Sequence, residues 1–217
     1  MCPTPVNQAT PEDCKKGADI VSCSWGEDDD HEPYLEQYIK ARQPPIPTQT
    51  LTSVSLEAWI KAGILPVFAV GNSGGKCKTT ASPSDYTGVI GVGGTDKSDT
   101  LLEFSSRGPA PNTSNASNPL PYNPRTPSIV APGLNIEGPA PSGNGYKQFS
   151  GTSQAAPHVA GAAALVLSAH PKLTATQVSE LLLNSAETST LQDPNGSDDC
   201  GGTIDPTSPN TDPKPPT

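Results

Sequence analysis

Ser153 is the residue whose setting most strongly suggests chemistry. It follows Gly151 and Thr152 and precedes a run of small and apolar residues, Ala155 to Ala169, that predicts a helix. A serine at the start of a helix has its hydroxyl beside unpaired backbone N–H groups and the positive end of the helix dipole, which both favour a developing anion. This setting suits a nucleophilic hydroxyl. The alternative is a serine that only caps a buried alanine-rich helix.

A second segment of interest lies upstream of that serine. Ile64 to Val70 is a short apolar run that predicts a buried strand, and it ends in the turn Gly71-Asn72-Ser73-Gly74-Gly75. Taken alone the turn is a weak signal, because Asn and Gly are ordinary turn residues. The turn nevertheless follows a predicted strand and lies upstream of the serine motif, and Asn72 is its one residue with a side-chain amide.

The run from Gly151 to Gly161, Gly-Thr-Ser-Gln-Ala-Ala-Pro-His-Val-Ala-Gly, resembles the nucleophile segment of the subtilisin-like serine proteases. The resemblance covers residues 18–187, and its spacing is most similar to the secreted bacillopeptidase-like branch. It implies an α/β fold of three layers with a parallel central sheet, incomplete on its N-terminal side, and an endopeptidase activity. The other segments that follow the family order are Ala18–Gly26, Ser82–Tyr86, Val89–Asp96, Leu101–Pro109 and Ser128–Gly133.

The resemblance also implies roles for particular residues. Ser153 would attack a peptide carbonyl, and the Asn72 amide with the Ser153 backbone N–H would hold the resulting oxyanion. A fixed neutral donor suits a charge that appears only in the transition state. Two short segments would flank the substrate in the manner of strand addition. They are Ser24, Trp25 and Gly26, and Ala69, Val70 and Gly71.

The aspartate and histidine of the family's catalytic triad have no counterpart that the sequence identifies. The family places both before the serine, upstream of the strand that begins near residue 18, and residues 1–17 contain no His and no Asp-x-Gly. His31 lies in a polar stretch, His158 shares the predicted helix of Ser153, and His170 is at a helix end. None is expected to be the base. Because a serine hydroxyl is a poor nucleophile without one, the chain alone is expected to be a very weak protease.

Three interpretations remain open. The chain is the C-terminal part of a complete catalytic domain, which an N-terminal segment would complement, or it is a catalytically dead pseudoprotease that binds peptides or partner proteins. Another class of serine hydrolase is least favoured, because a Gly-x-Ser-x-Gly elbow needs glycine where the chain has Ala155. In the first case, absent strands would leave apolar edges exposed around Ile20–Ser24 and Val67–Val70.

Length and charge limit the domain count and the partners. The 217 residues are expected to form one partial peptidase domain over 1–203, followed by a disordered, proline-rich tail over 204–217. A net charge of -9 argues against nucleic-acid binding. There is no run of 18 apolar residues, so no membrane span is expected. The resemblance implies protein or peptide substrates.

Cysteines and sequons bear on the compartment. Cys2 with Cys14 and Cys77 with Cys200 are candidate pairs, Cys23 would be the odd thiol, and the sequence does not fix the pairing. The possible disulfides and three glycosylation sequons together favour an extracellular protein, although no signal peptide begins the chain. No metal-ligand spacing or cofactor motif is present; a structural calcium ion is compatible with the sequence but not indicated by it. The sequons are at Asn112, Asn115 and Asn195.

The remaining pattern predicts the elements that must position these residues. Strands are expected over 20–24, 64–70, 89–93 and 128–131, and a hairpin-like stretch before Phe149. A helix over 54–62 would end at Gly63. A last helix would begin with the capping box Thr174–Gln177 and turn Val178, Leu181 and Leu182 inward.

Overall fold

The structure is a computed structural model, and it describes residues 17–26, 56–109, 123, 126–141, 143 and 145–194. Several of the predictions fall on other residues and lie outside this description. These are the tail over 204–217, the domain boundary at 203, His31, the sequons at Asn112, Asn115 and Asn195, and the cysteines Cys2, Cys14 and Cys200.

A four-stranded parallel sheet forms the centre of the described structure. Its strands are β1 (Ile20–Cys23), β2 (Leu65–Ala69), β3 (Ile90–Thr95) and β4 (Ile129–Pro132), in the order β1-β2-β3-β4. Every residue of β2 and β3 is buried, as expected for parallel strands covered on both faces. Because the strands run in one direction, the segments that follow β1 and β2 emerge at the same edge of the sheet.

Two helices cover one face of this sheet. They are α1 (Thr152–Ala169) and α2 (Ala175–Ser185). Small side chains let α1 approach the sheet closely, with Ala155, Ala156, Val159 and Ala163 buried against apolar residues of β2 and β3. The capping box is present at the start of α2, where the Thr174 side chain accepts a hydrogen bond from the Gln177 N–H.

The opposite face of the sheet is covered by a helical segment at residues 56–61. Leu56 is buried there with Phe68, Tyr86 and Val89, and Trp59 packs against the same cluster. The segment ends at Gly63, which has the positive φ of 78° that favours glycine after a helix. Helices on both faces of a parallel sheet make three layers, so the predicted fold class is confirmed.

An antiparallel hairpin leads from the sheet to α1. It consists of β5 (Ile136–Pro139) and β6 (Tyr146–Phe149), paired with Ile136 opposite Phe149. At its open end the Ser150 hydroxyl accepts a hydrogen bond from the Asn135 N–H. The hairpin therefore delivers the chain to the turn at Gly151.

The observed elements correct some of the expectations. Strand bounds differ from the predicted ones by one or two residues, and α1 begins at Thr152 rather than Ala155. The inward orientation of Leu181 was wrong, because this side chain is 46% exposed, whereas Val178 is fully buried. The expected exposed edge at Val67–Val70 was also wrong, because β2 lies between β1 and β3; β1 is the edge strand of the described sheet. Among the described residues, no helix is both long and apolar enough to cross a membrane.

Candidate active site

Ser153 is the second residue of α1, at the end of the helix where N–H groups lack helical partners. The preceding turn is tied to the sheet, since the Gly151 N–H donates to the Gly133 carbonyl, one residue beyond β4, at 2.8 Å. Gly151 is the helix N-cap and provides no side-chain cap. The hydroxyl of Ser153 therefore projects from a fixed helix N-terminus, as the sequence predicts.

Asn72 lies beside this helix start. Its side-chain Oδ1 accepts a hydrogen bond from the Thr152 N–H at 2.9 Å. The Thr152 hydroxyl is 3.2 Å from the same oxygen and 3.2 Å from the Gly71 carbonyl. Thr152 is fully buried, so these bonds connect the turn after β2 firmly to the residue before Ser153.

The bond from Thr152 fixes which way the Asn72 amide points. Only the carbonyl oxygen of an amide accepts, so Oδ1 faces Thr152 and the NH2 group is directed elsewhere. In the part of the chain that the structure describes, neither this NH2 nor the Ser153 N–H has a hydrogen-bond partner. Two neutral donors are thus available at the N-terminus of α1, one on Ser153 itself and one on the residue bonded to Thr152.

Ser24, directly after β1, is bonded to Ser153 in both directions. Its hydroxyl donates to the Ser153 carbonyl at 2.8 Å, and the Ser153 hydroxyl lies 3.4 Å from the Ser24 carbonyl. The Ser153 carbonyl would normally accept from the N–H four residues later, but that residue is Pro157, which has none. The Ser24 hydroxyl takes the place of the missing helical donor.

The turn after β2 depends on Gly71 and Ser106. Gly71 has φ of 104°, a conformation that other residues rarely adopt, and a Cβ there would lie 3.0 Å from the Ser106 hydroxyl oxygen. The Ser106 N–H donates to the Gly71 carbonyl at 3.1 Å, and its hydroxyl accepts from the Ser73 N–H at 3.0 Å. Asn72 is therefore held on both sides by one buried serine.

The two segments expected to flank the substrate leave the sheet side by side. Trp25 is 52% exposed, and its ring meets that of Phe68 edge-on at 5.2 Å. Gly26 approaches the 81–83 segment so closely that a Cβ would lie 2.9 Å from the Ser82 carbonyl oxygen. The methyl group of Ala81 would be 3.0 Å from a Cβ at Gly26 and 3.2 Å from one at Gly71, so it fills the space between the segments.

The two segments differ in whether their backbone N–H and C=O groups are already hydrogen-bonded within the sheet. Val70 already uses both of its groups, since its N–H donates to Val92 at 3.1 Å and its carbonyl accepts from Ala81 at 2.8 Å. The segment Ser24–Gly26, in contrast, continues from the edge strand β1. Only the latter segment has an outer side on which the described sheet places no neighbouring strand.

Neither described histidine side chain is hydrogen-bonded to Ser153. The Nδ1 of exposed His158 is 2.7 Å from the Gln154 carbonyl, to which it must donate, and His170 forms the C-cap of α1. Among the described residues, the only group that accepts a hydrogen bond from the Ser153 hydroxyl is the Ser24 carbonyl. No group of three or more His, Cys, Asp or Glu side chains in the described ranges is arranged to hold a metal ion.

The described cysteines differ in state. Cys23 ends β1 as a buried free thiol, and burial raises its pKa above the ordinary value of 9.0. Cys77 is disulfide-bonded. The assignment of Cys23 as the unpaired thiol and of Cys77 as a bridged cysteine agrees with the expectation, while the partner of Cys77 lies outside the described residues.

Three residues that contribute to the site were not singled out from the sequence: Thr152, Ser106 and Ala81. Thr152 lies inside the recognised motif, but the motif suggests a chemical role only for its neighbour Ser153. Ser106 belongs to a family-like segment and Ala81 immediately precedes one, but polar or small residues near Gly and Pro are typical of ordinary turns. Only the tertiary hydrogen bonds distinguish them.

Comparison with known proteins decides the family. Residues 4–202 match the model of the subtilase family. The chain belongs to the subtilase family.

This subtilase is similar to several curated Bacillus proteins. It is 38% identical over 159 residues to serine protease AprX of Bacillus subtilis, covering 64% of this chain and 34% of that protein. It is 39% identical over 127 residues to subtilisin DY of Bacillus licheniformis, covering 58% and 40%. Bacillopeptidase F of Bacillus subtilis is 33% identical over 136 residues, 61% of this chain and 9% of that protein. The chain spans less than half the length of these relatives.

Solved structures agree on the fold. Sphericase superposes with a TM-score of 0.59 at 26% identity, covering 77% of this chain and 48% of that one. The S218A mutant of the protease domain of PatA gives 0.58 at 26% identity, covering 82% and 57%. The subtilisin-like α/β fold is thus shown for this subtilase, and about half of each neighbour has no counterpart in the superposition.

Proposed function

We propose that this subtilase is a serine endopeptidase in which Ser153 is the nucleophile and Asn72 donates to the oxyanion. The observation that carries the proposal is the bond from the Thr152 N–H to Asn72 Oδ1, because it holds Asn72 against the residue before Ser153 and leaves its NH2 group available as a donor. The Ser153 N–H is the second donor. Both are neutral and already oriented, so they stabilise charge that develops in the transition state without reorganising.

The reaction is acyl transfer in two stages. The Ser153 oxygen attacks the peptide carbonyl carbon, its proton passes to a base, and the carbonyl oxygen becomes the anion held by the two donors. The tetrahedral species expels the amine, which takes up the proton, and an acyl-enzyme remains. Water then attacks this ester by the same route and releases the acid and the free serine.

The base is the part of this chemistry that the described residues do not supply. The Ser24 carbonyl beside the Ser153 hydroxyl is not basic enough to take its proton. We propose that a complementing N-terminal segment provides the base and adds to the edge strand β1. The greater length of the relatives and of the superposed solved chains supports this.

The proposed substrate is an extended peptide of a protein. It would pair with Ser24–Gly26, the continuation of an edge strand, by strand addition. Ala69–Gly71 would instead form a wall, because the Val70 backbone groups are already bonded. The disulfide at Cys77 supports an oxidising, extracellular setting for the protein.

The test is labelling of the full chain, mixed with the N-terminal part of a subtilase catalytic domain that supplies the base, with a fluorophosphonate, which reacts with activated serines. Ser153→Ala should abolish labelling, and Asn72→Ala should slow it by about 10²-fold, the loss known for the corresponding asparagine of a subtilisin. Ser168→Ala, an exposed serine farther along α1, is the matched control and should label as the wild type does.

Labelling spread over other serines, or unaffected by Ser153→Ala, would contradict the proposal. A chain that binds extended peptides but shows no Ser153-dependent labelling, even with the N-terminal part of a subtilase domain added, would support the pseudoprotease alternative.

A further inference from the structure

We infer that Ser106 is a positioning residue for catalysis, one that holds the oxyanion loop, Gly71–Gly75, in its productive conformation. The inference rests on the proposed function of Asn72. Ser106 does not reach the reacting atoms itself. It acts through the backbone on either side of Asn72.

Ser106 contacts the oxyanion loop at two points. Its N–H donates to the carbonyl of Gly71, and its hydroxyl oxygen accepts from the N–H of Ser73, at 3.1 and 3.0 Å. These are the residues immediately before and after Asn72. Because the residues on both sides of Asn72 are hydrogen-bonded to Ser106, the backbone of Asn72 cannot rotate freely and move its amide away.

The close approach of Ser106 to Gly71 restricts the conformations that the oxyanion loop can adopt. Gly71 has φ of 104°, and a Cβ there would be 3.0 Å from the Ser106 hydroxyl oxygen. The loop thus packs directly on the serine, which is fully buried. Thr152 holds the tip of the Asn72 side chain, while Ser106 holds the backbone that carries it.

Ser106 is itself held by its neighbours in sequence. The Ser105 hydroxyl accepts from the Gly94 N–H in β3 at 3.1 Å. The Arg107 N–H donates to the Thr79 hydroxyl at 2.9 Å, and its carbonyl accepts from the Thr79 N–H at 2.9 Å. Beyond these, the Arg107 guanidinium is paired with Asp193. Ser106 therefore transmits the rigidity of the sheet to the loop.

The chain offers a matched control for this role. Ser105 and Ser106 are both fully buried, and each hydroxyl accepts one backbone N–H at nearly the same distance. Replacement by alanine removes one such acceptor in each case, so both variants should lose similar stability. Only Ser106 contacts the oxyanion loop, so only its loss should affect the chemistry.

The experiment compares Ser106→Ala with Ser105→Ala in the full chain, mixed with the same N-terminal part of a subtilase domain, by two readouts. The first is the kinetics of fluorophosphonate labelling of Ser153, resolved into the binding constant and the maximal rate. Ser106→Ala should lower the maximal rate about tenfold and leave the binding constant within about twofold, since a displaced donor affects the transition state more than binding. Ser105→Ala should change neither.

The second readout is hydrogen exchange of the peptide that contains residues 71–75, with urea used to bring both variants to equal global stability. Exchange there should be about tenfold faster in Ser106→Ala than in Ser105→Ala. Equal exchange in the two variants, or equal labelling rates, would overturn the inference. Absence of labelling in the wild type would count against the proposed function alone, and exchange would still decide the role of Ser106.

Discussion

The Ser24 hydroxyl donates a hydrogen bond to the carbonyl of Ser153 at 2.8 Å, across 129 positions of sequence. That carbonyl is available because the residue four positions later, Pro157, has no N–H to offer it. A proline in the second turn of a helix is costly by itself. Here it removes a helical bond and leaves an acceptor through which the edge strand β1 is attached to the nucleophile.

This relationship predicts an interaction between Ser24 and Pro157. Ser24→Ala should cost about 1 kcal/mol, because the Ser153 carbonyl loses its donor. In the background of Pro157→Ala the same change should cost about half of that or less, since an alanine N–H now reaches the carbonyl. The measurement is a double-mutant cycle of unfolding free energies. Additive effects would show that the two residues do not compete for one acceptor.

Gly26→Ala should distort the site by contact with backbone rather than by lost flexibility. The new methyl group would lie 2.9 Å from the Ser82 carbonyl oxygen and 3.0 Å from the Ala81 methyl. We expect a loss of about 1–3 kcal/mol in unfolding free energy, measured by urea denaturation. Gly145→Ala, where the described residues place no atom other than those of its chain neighbours within 4 Å, is the control and should be close to neutral. Equal effects of the two changes would contradict the close packing at Gly26.

The sequence predicts the parts of this subtilase in which local signals and tertiary structure agree. Thr174 and Gln177 form their capping box as expected, because the bonds that make it lie within four residues. The pairing of Asn72 with the start of α1 was also anticipated, but only through the family resemblance.

Sequence-based prediction fails where contacts between residues far apart in the sequence determine the structure. Leu181 follows helical spacing but is 46% exposed, since the described neighbours do not extend over it. Ser106 carries no local sign of its role, because its partners lie 33 and 35 positions away. Strand order likewise decides that β2 is interior and β1 is the edge, and no periodicity reports strand order.

Asp193 should stabilise the docking of the segment after α2. Its carboxylate pairs with Arg107, whose side chain is 9% exposed and whose Nε and Nη2 have no other partner among the described residues. Asp193→Ala leaves a buried guanidinium without its counter-charge and should cost about 2–3 kcal/mol. Glu57→Ala removes the exposed pair with Lys61 and should cost no more than about 0.5 kcal/mol. Similar losses in thermal or urea denaturation would show that burial does not strengthen the first pair.

Asp96 gives a prediction for acidic pH. Hydrogen bonds from the backbone N–H groups of Thr100 and then Ser98 hold the pKa of its carboxyl below the ordinary value of 3.8. The bonds favour the charged form, so their contribution is complete above the unfolded-state pKa and disappears as pH falls through the lower folded-state pKa. An NMR titration of the carboxyl should therefore have its midpoint below 3.8. Asp96→Asn should keep the turn and remove the dependence; a midpoint above 3.8 would contradict the bonding.

The outer face of α1 bears on whether a further segment covers this chain. The helix contains no Asp, Glu, Lys or Arg, and its outer face still shows Gly161, Ala164 and Leu165 to solvent, the last 74% exposed. The same face carries the exposed polar residues His158 and Ser168, so it is only partly apolar. An exposed apolar side chain such as Leu165 is typical of a face that another segment covers. In the isolated chain this face is exposed to solvent, so helix propensity alone should determine how substitutions on it change the free energy of unfolding.

Gly161→Ala should then stabilise the isolated chain by about 0.5–1 kcal/mol, because among the described residues no atom beyond the local helix lies within 4 Å of the new methyl group, and alanine favours the helix. Ala164→Gly on the same exposed face should destabilise it by a similar amount. Urea denaturation at several protein concentrations checks both. A loss of stability for Gly161→Ala that grows with protein concentration would instead show that a second copy covers this face, since a methyl group at a tightly packed glycine obstructs association.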